Sequence, residues 1–341
     1  MAKAIIRTTS SVVTGVILLG LTIPQPALAE SQPNYVCRGF AGPQADYDGT
    51  PMITAKEGVV WLIKQNANRL IRIDKTHHVR AVIPVDGANG PLEGMTIAPN
   101  GAIWYSKISG HRIGRIPANG GKGVEYELPY QDAAPAALAA DTKGRIWFAD
   151  AVNNKVGYIT NGGKVVSFDA PSPDHSITAP GSIAIAADNA VWMLSMLLNA
   201  VLRLDPETGT FTRYDIPTPG GNPTLLTHGP QGALWFLMPA VNKIGRITNS
   251  GEITEFDTGS QLTESLGAGP DEAIWFSSMY EVGRLDPRSG RIQKFACVGG
   301  GGMTVGPDGH LWVQSKAGDY FYEVKRRDEP SAAHGMSAAN R

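Results

Sequence analysis

From Gly94 to Pro129 the chain alternates apolar and polar positions in four short runs separated by turn residues. GMTIA is the first run, and the turn that follows contains Asn100-Gly101, a pair that favours a tight hairpin. AIWYSK is the second run and RIGRIP the third; Asn119-Gly120-Gly121 then turns the chain into VEYELP, the fourth. In that last run Val124, Tyr126 and Leu128 share one face while Glu125 and Glu127 share the other, the period of two of a half-buried strand. The pattern predicts four antiparallel strands with GMTIA innermost.

The same unit recurs along the chain. All seven tryptophans (Trp61, Trp104, Trp147, Trp192, Trp235, Trp275 and Trp312) stand in the second run, at spacings of 43, 43, 45, 43, 40 and 37 residues. The turn before tryptophan returns as DTKGR, ADNA, GPQGA, GPDEA and GPDGH. The third run returns as RLIRID, KVGYIT, AVLRLD, KIGRIT, EVGRLD and, degraded, YFYEVK. One aromatic landmark every 40 or so residues in a four-stranded unit predicts an all-β fold, a seven-bladed β-propeller. The seventh unit has no fourth run after Tyr320–Lys325, whereas YVCRGFAG (35–42) resembles the FACVGGG that precedes that unit. The N-terminal strand is therefore expected to complete the last blade and close the ring, leaving no long unpaired edge. Because each tryptophan holds the same strand position, the indoles are expected to fill the wedges between blades rather than to form an aromatic cage.

Outside the repeat, residues 1–29 read as a signal peptide. Lys3 and Arg7 are basic, Val12 to Leu21 is apolar, and Ala27-Leu28-Ala29 is a cleavage site. The propeller body is expected over 30–327 and a disordered tail, small and polar, over 328–341. This organisation implies an exported protein, periplasmic or extracellular, without a membrane anchor and monomeric. A net charge of −1 gives no reason to expect a nucleic-acid partner. In an oxidising compartment Cys37 and Cys297 either pair or stand as two separate half-buried thiols, since neighbouring blades splay apart at their outer strands.

No H-E-x-x-H, C-x-x-C, G-x-S-x-G or P-loop motif is present. The stretch HGPQGALWFLMPAVNKIGRITNSGEITEFD, His228 to Asp257, resembles the repeat of the streptogramin B lyases (the virginiamycin B lyase family), and the likeness covers residues 50 to 326. The resemblance implies a propeller that opens a cyclic depsipeptide by elimination at its ester, using a magnesium ion and a histidine base at the channel mouth. It places those histidines about eleven positions before the tryptophans of the last two blades, in a P-H and an E-P-H motif, with a glutamate after the last tryptophan. Here Glu264 stands eleven before Trp275 and Gly301 eleven before Trp312, and Ser315 or Lys316 replaces the glutamate.

Applied to every blade, the same ruler gives a ring of Thr50, Glu93, Ala136, Gly181, Thr224, Glu264 and Gly301. Asp48, Glu93 and Glu264 would be the ligands of Mg²⁺ or Ca²⁺, both of which take oxygen donors; otherwise they are solvated loop carboxylates. Lys64, Lys107 and Lys316, just after their tryptophans, would offset those charges or bind an anion, and Asp150 takes the same place in the third blade. Of the histidines, His228 reads as a structural strand-end group and His310 lies in a hairpin turn on the wrong side for the mouth. The expected function is binding of a small-molecule or peptide ligand at the axial mouth. The alternatives are a divalent-metal-dependent lyase acting on a cyclic ester, a lactone hydrolase of the gluconolactonase type, and a protein-interaction platform.

Overall fold

The fold is taken from a computed structural model. It describes residues 34–41, 52–55, 58–64, 68–85, 92–172, 180–259, 261, 265–278, 280–297, 300–315 and 320–327. The expected signal peptide (1–29) and tail (328–341) lie outside these residues.

Seven four-stranded antiparallel sheets follow one another along the chain, as the repeat predicts. Blade 1 is β2 to β5 (Met52–Ala55, Val59–Lys64, Arg69–Asp74, Val79–Pro84), and blade 2 is β6 to β9 (Leu92–Ile97, Ile103–Lys107, Arg112–Ile116, Val124–Glu127). Blade 3 is β10 to β13 (Pro135–Ala140, Ile146–Asp150, Lys155–Ile159, Val165–Asp169), and blade 4 is β14 to β17 (Pro180–Ile185, Val191–Ser195, Ala200–Leu204, Phe211–Asp215). Blade 5 is β18 to β21 (Thr224–His228, Leu234–Met238, Lys243–Ile247, Ile253–Asp257), and blade 6 is β22 to β25 (Leu266–Ala268, Ile274–Ser277, Glu281–Leu285, Ile292–Ala296). Blade 7 takes β26 to β28 (Gly300–Val305, Leu311–Ser315, Tyr320–Arg326) from the end of the chain and β1 (Tyr35–Ala41) from its start. β1 pairs antiparallel with β28 from Tyr35↔Arg326 to Ala41↔Tyr320.

The tryptophans do the packing expected of them. Trp104 sits with Ile146 and Phe148 of blade 3, Trp192 with Leu234 and Phe236 of blade 5, and Trp312 with Val60 and Leu62 of blade 1. None of the seven is more than 8% exposed. Several also stack on their own outer strand, as Trp192 does on Tyr214 and Trp235 on Phe256, both at 5.5 Å between centroids. The aromatic that follows tryptophan explains the glycine of the third strand. Phe236 lies flat over Gly245, where a Cβ would stand 2.2 Å from the ring.

Closure of the ring rests on more than strand pairing. Cys37 and Cys297 form a disulfide with a Cα separation of 5.8 Å, which settles the open question of their pairing. Splaying of the outer strands does not prevent it, because Cys297 follows β25 on the link to blade 7 rather than lying within the strand. Tyr35 donates to Asp271 of blade 6 at 2.9 Å, and Arg284 and Trp275 donate to the same carboxylate. Burial pushes Asp271 up, but these three hydrogen bonds outweigh it and hold the carboxyl below its ordinary range.

Candidate functional site

Each inner strand runs from the mouth of the channel to its hairpin turn, and the second strand returns to the mouth. The register therefore tests the ruler directly. In blades 2, 3, 4, 5 and 7 the inner strand carries a register shift at its mouth end: between Leu92 and Met95, Pro135 and Ala137, Pro180 and Ser182, Thr224 and Thr227, and Gly300 and Met303. Glu93, Ala136, Gly181 and Gly301 fall inside these bulges and Thr224 opens the fifth. A bulge re-aims the side chain it carries and recurs beside ligand sites. The strain at blade 5 is visible at Leu225, whose φ is +49°, a left-handed conformation uncommon for leucine.

The structure brings only some of the candidates to this ring. Thr50, Asp48, Glu264 and Lys316 lie outside the described residues, and of Lys64 only the backbone, ending β3, is described. Glu93 is half-buried in the blade 2 bulge, and the buried Thr224 Oγ1 has no hydrogen-bond partner. Lys107 lies at the mouth end of its strand, but its side chain turns away. It is fully buried, its Nζ 2.6 Å from Glu125 Oε1 of β9, and Tyr105 donates to the same oxygen at 3.0 Å. Its charge is matched within the blade by Glu125. Asp150 is also buried; it accepts from the backbone N–H of Val152 and Asn153 and shapes the loop between β11 and β12. Burial of the Tyr130 phenol, and secondarily the nearby Asp150 charge, raises that phenol well above its ordinary value.

The ring position of blade 7 does not hold the histidine that the sequence likeness implies. Gly301 holds the ring position of blade 7, and a Cβ there would lie 2.9 Å from the Gln314 carbonyl oxygen and 3.0 Å from the Gln314 Cβ. No side chain fits without moving backbone. Among the described ring residues Glu93 is the one carboxylate; Asp48 and Glu264, expected beside it as ligands of Mg²⁺ or Ca²⁺, lie outside the described residues. The one group of three closely spaced histidine and carboxylate donors among the described residues is Asp308, His310 and Glu323, at the hairpin end of blade 7, away from the mouth. His228 likewise ends β18 at the hairpin side.

What the sequence reading missed is apolar. Val152, Met196, Leu197, Tyr280 and Tyr320 are all exposed, Leu197 at 67% and Tyr280 at 70%. Each lies on or beside a link between a second and a third strand, in blades 3, 4, 6 and 7, so all five rise on the mouth face. The signal was present as apolar residues inside loops, where alternation no longer applies.

Comparison with known proteins agrees with this architecture. The model of the Virginiamycin B lyase family matches residues 38–319. The virginiamycin B lyase of Nocardia farcinica (strain IFM 10152) is 29% identical over 216 residues, which is 62% of this chain and 70% of that protein. A streptogramin B lyase structure superposes with a TM-score of 0.77 at 27% identity, covering 86% of this chain and 98% of the other. A catalytically inactive histidine-to-alanine variant of the Staphylococcus aureus virginiamycin B lyase, with quinupristin, gives the same TM-score at 28% identity over 85% of this chain and 99% of that one. By the extent of the family match and the shared propeller, the chain belongs to the virginiamycin B lyase family.

Proposed function

We propose that this protein is an exported propeller that binds a small cyclic peptide or depsipeptide at its axial mouth without opening it by a blade 7 histidine. Gly301 carries the reading: the ring position of the last blade has neither a base nor room for one. A general base must reach the proton it abstracts, and a backbone-filled position has no side chain to do so. The apolar rim of Leu197, Tyr280 and Tyr320 supports recognition of a ligand with exposed hydrocarbon, because such a face buries apolar area on binding. The S. aureus neighbour lends further support, since a variant without activity is seen with quinupristin.

Quinupristin is accordingly the probe. Calorimetric titration of the disulfide-intact chain is expected to show saturable binding, with no linear product by mass spectrometry after prolonged incubation with Mg²⁺. Absence of binding overturns the proposal. Binding followed by a linear product restores the lyase reading and moves the base outside the described residues.

A further inference from the structure

The hairpin end of the blades carries a second pattern, independent of the mouth. The residue paired with each tryptophan on the third strand is Arg72, Arg115, Arg203, Arg246 or Arg284 in five blades and Tyr158 in blade 3. In blades 4 and 6 that arginine meets the aspartate of the hairpin turn, Arg203 with Asp188 at 2.8 Å and Arg284 with Asp271 at 2.5 Å. Blade 7 keeps the turn aspartate, Asp308, but places Glu323 opposite Trp312. The cation of the repeat has become a second carboxylate.

Two imidazoles gather where the guanidinium would be. His310 Nδ1 lies 2.5 Å from Glu323 Oε1 and 3.6 Å from Asp308 Oδ2. His77, from the β4–β5 turn of blade 1, places Nε2 4.0 Å from Asp308 Oδ2. That nitrogen is buried and makes no hydrogen bond. Its ring is clamped, stacked on Phe40 at 3.7 Å and edge-on to Trp312 at 4.8 Å. Asp308 is oriented from behind by Trp312 Nε1, which donates to both carboxylate oxygens at 3.1 and 3.0 Å. Lys325 Nζ lies 3.7 Å from the other oxygen of Glu323 and balances one of the two negative charges.

We infer that Asp308, His310, Glu323 and His77 form a binding site for a zinc-type divalent transition metal across the seam between blades 7 and 1. The Asp308, His310 and Glu323 donors lie within 4.8 Å of one another. Ligands about 2.0–2.1 Å from a tetrahedral zinc stand roughly 3.3 Å apart, so shifts of about an ångström bring these three donors to the ion, and His77 Nε2, 4.0 Å from Asp308 Oδ2, is the fourth to move in. Two imidazoles with two carboxylates suit Zn²⁺ or Co²⁺ better than Mg²⁺ or Ca²⁺, which prefer oxygen alone. The ion would supply the positive charge that arginine supplies in five other blades, and it would fasten the first blade to the last.

The test uses the full chain, disulfide intact and stripped of metal with chelator. Titration with Zn²⁺ is expected to show one tight site per chain and a rise in Tm, and Co²⁺ is expected to give the absorption of a tetrahedral ion. Glu323→Arg restores the residue that five other blades carry, so it should fold, and His310→Gln removes a ligand while keeping a polar side chain. Each is expected to weaken Zn²⁺ binding by at least roughly tenfold, the lower bound for losing even an outer-shell partner. No uptake by the native chain, or unchanged affinity in both variants, overturns the site.

Discussion

Three residues after Trp104, Lys107 shows how far a position on a strand specifies its partner. It stands at the mouth end of β7, where a cation could face a ligand, yet it reaches across β8 to Glu125. A buried ion pair loses most when one member is removed, because the other is left charged without compensation. Lys107→Ala is therefore expected to destabilise the protein by about 2–4 kcal/mol, the partial exposure of Glu125 moderating the loss. Lys107→Met with Glu125→Leu should recover most of it, as measured by urea unfolding. An unchanged midpoint in the single variant would show that the pair contributes nothing. The tryptophans, by contrast, were legible from the chain alone, because seven copies of one phrase average out local accidents. A single lysine at a strand end has no such redundancy, and whether it faces the channel or the neighbouring strand depends on packing that periodicity does not encode.

At the scale of elements, β1 is the strand on which the ring depends. It was predictable because the last unit lacked a fourth run and YVCRGFA matched the missing one. The disulfide was not predictable, since it requires the link after β25 to bring Cys297 inward, and a link of that kind has no hydrophobic period. With the two cysteines 260 positions apart in the sequence, the bridge restricts nearly the whole unfolded chain. Cys37→Ser with Cys297→Ser is expected to cost about 2–5 kcal/mol, the usual loss on removing a native disulfide. The loss should appear as a lower guanidinium midpoint, with the β content of the native protein retained, since β28, Tyr35 and Phe40 still hold the strand. A double variant as stable as the parent would mean that strand pairing alone closes the ring. The bulges belong to the same scale. The eleven-residue ruler located them without revealing that they were bulges, because an unpaired residue in an inner strand looks like any other small or polar position in the sequence.

Across the whole molecule, the two ends of the blades have diverged from the repeat in opposite ways at blade 7. The hairpin end exchanged a cation for a carboxylate, with Glu323 in place of arginine, while the ring position at the mouth carries no side chain, with Gly301 inside a run of glycines. If the mouth merely lacked a histidine, replacing Gly301 with one would graft the missing base onto a family scaffold. The packing argues otherwise. A Cβ at 301 meets the Gln314 carbonyl at 2.9 Å, and that carbonyl belongs to β27, which is paired on both sides with β26 and β28. Relief would require the bulge between Gly300 and Met303 to change shape, not a side chain to rotate. Gly301→His is accordingly expected to destabilise the fold by about 1–3 kcal/mol, the usual cost of overpacking. It should yield no linear quinupristin in the presence of Mg²⁺. The melting temperature and product mass spectra read the two effects separately. A variant of native stability that linearises quinupristin would show that the mouth retains the rest of a lyase site and that glycine alone silences it.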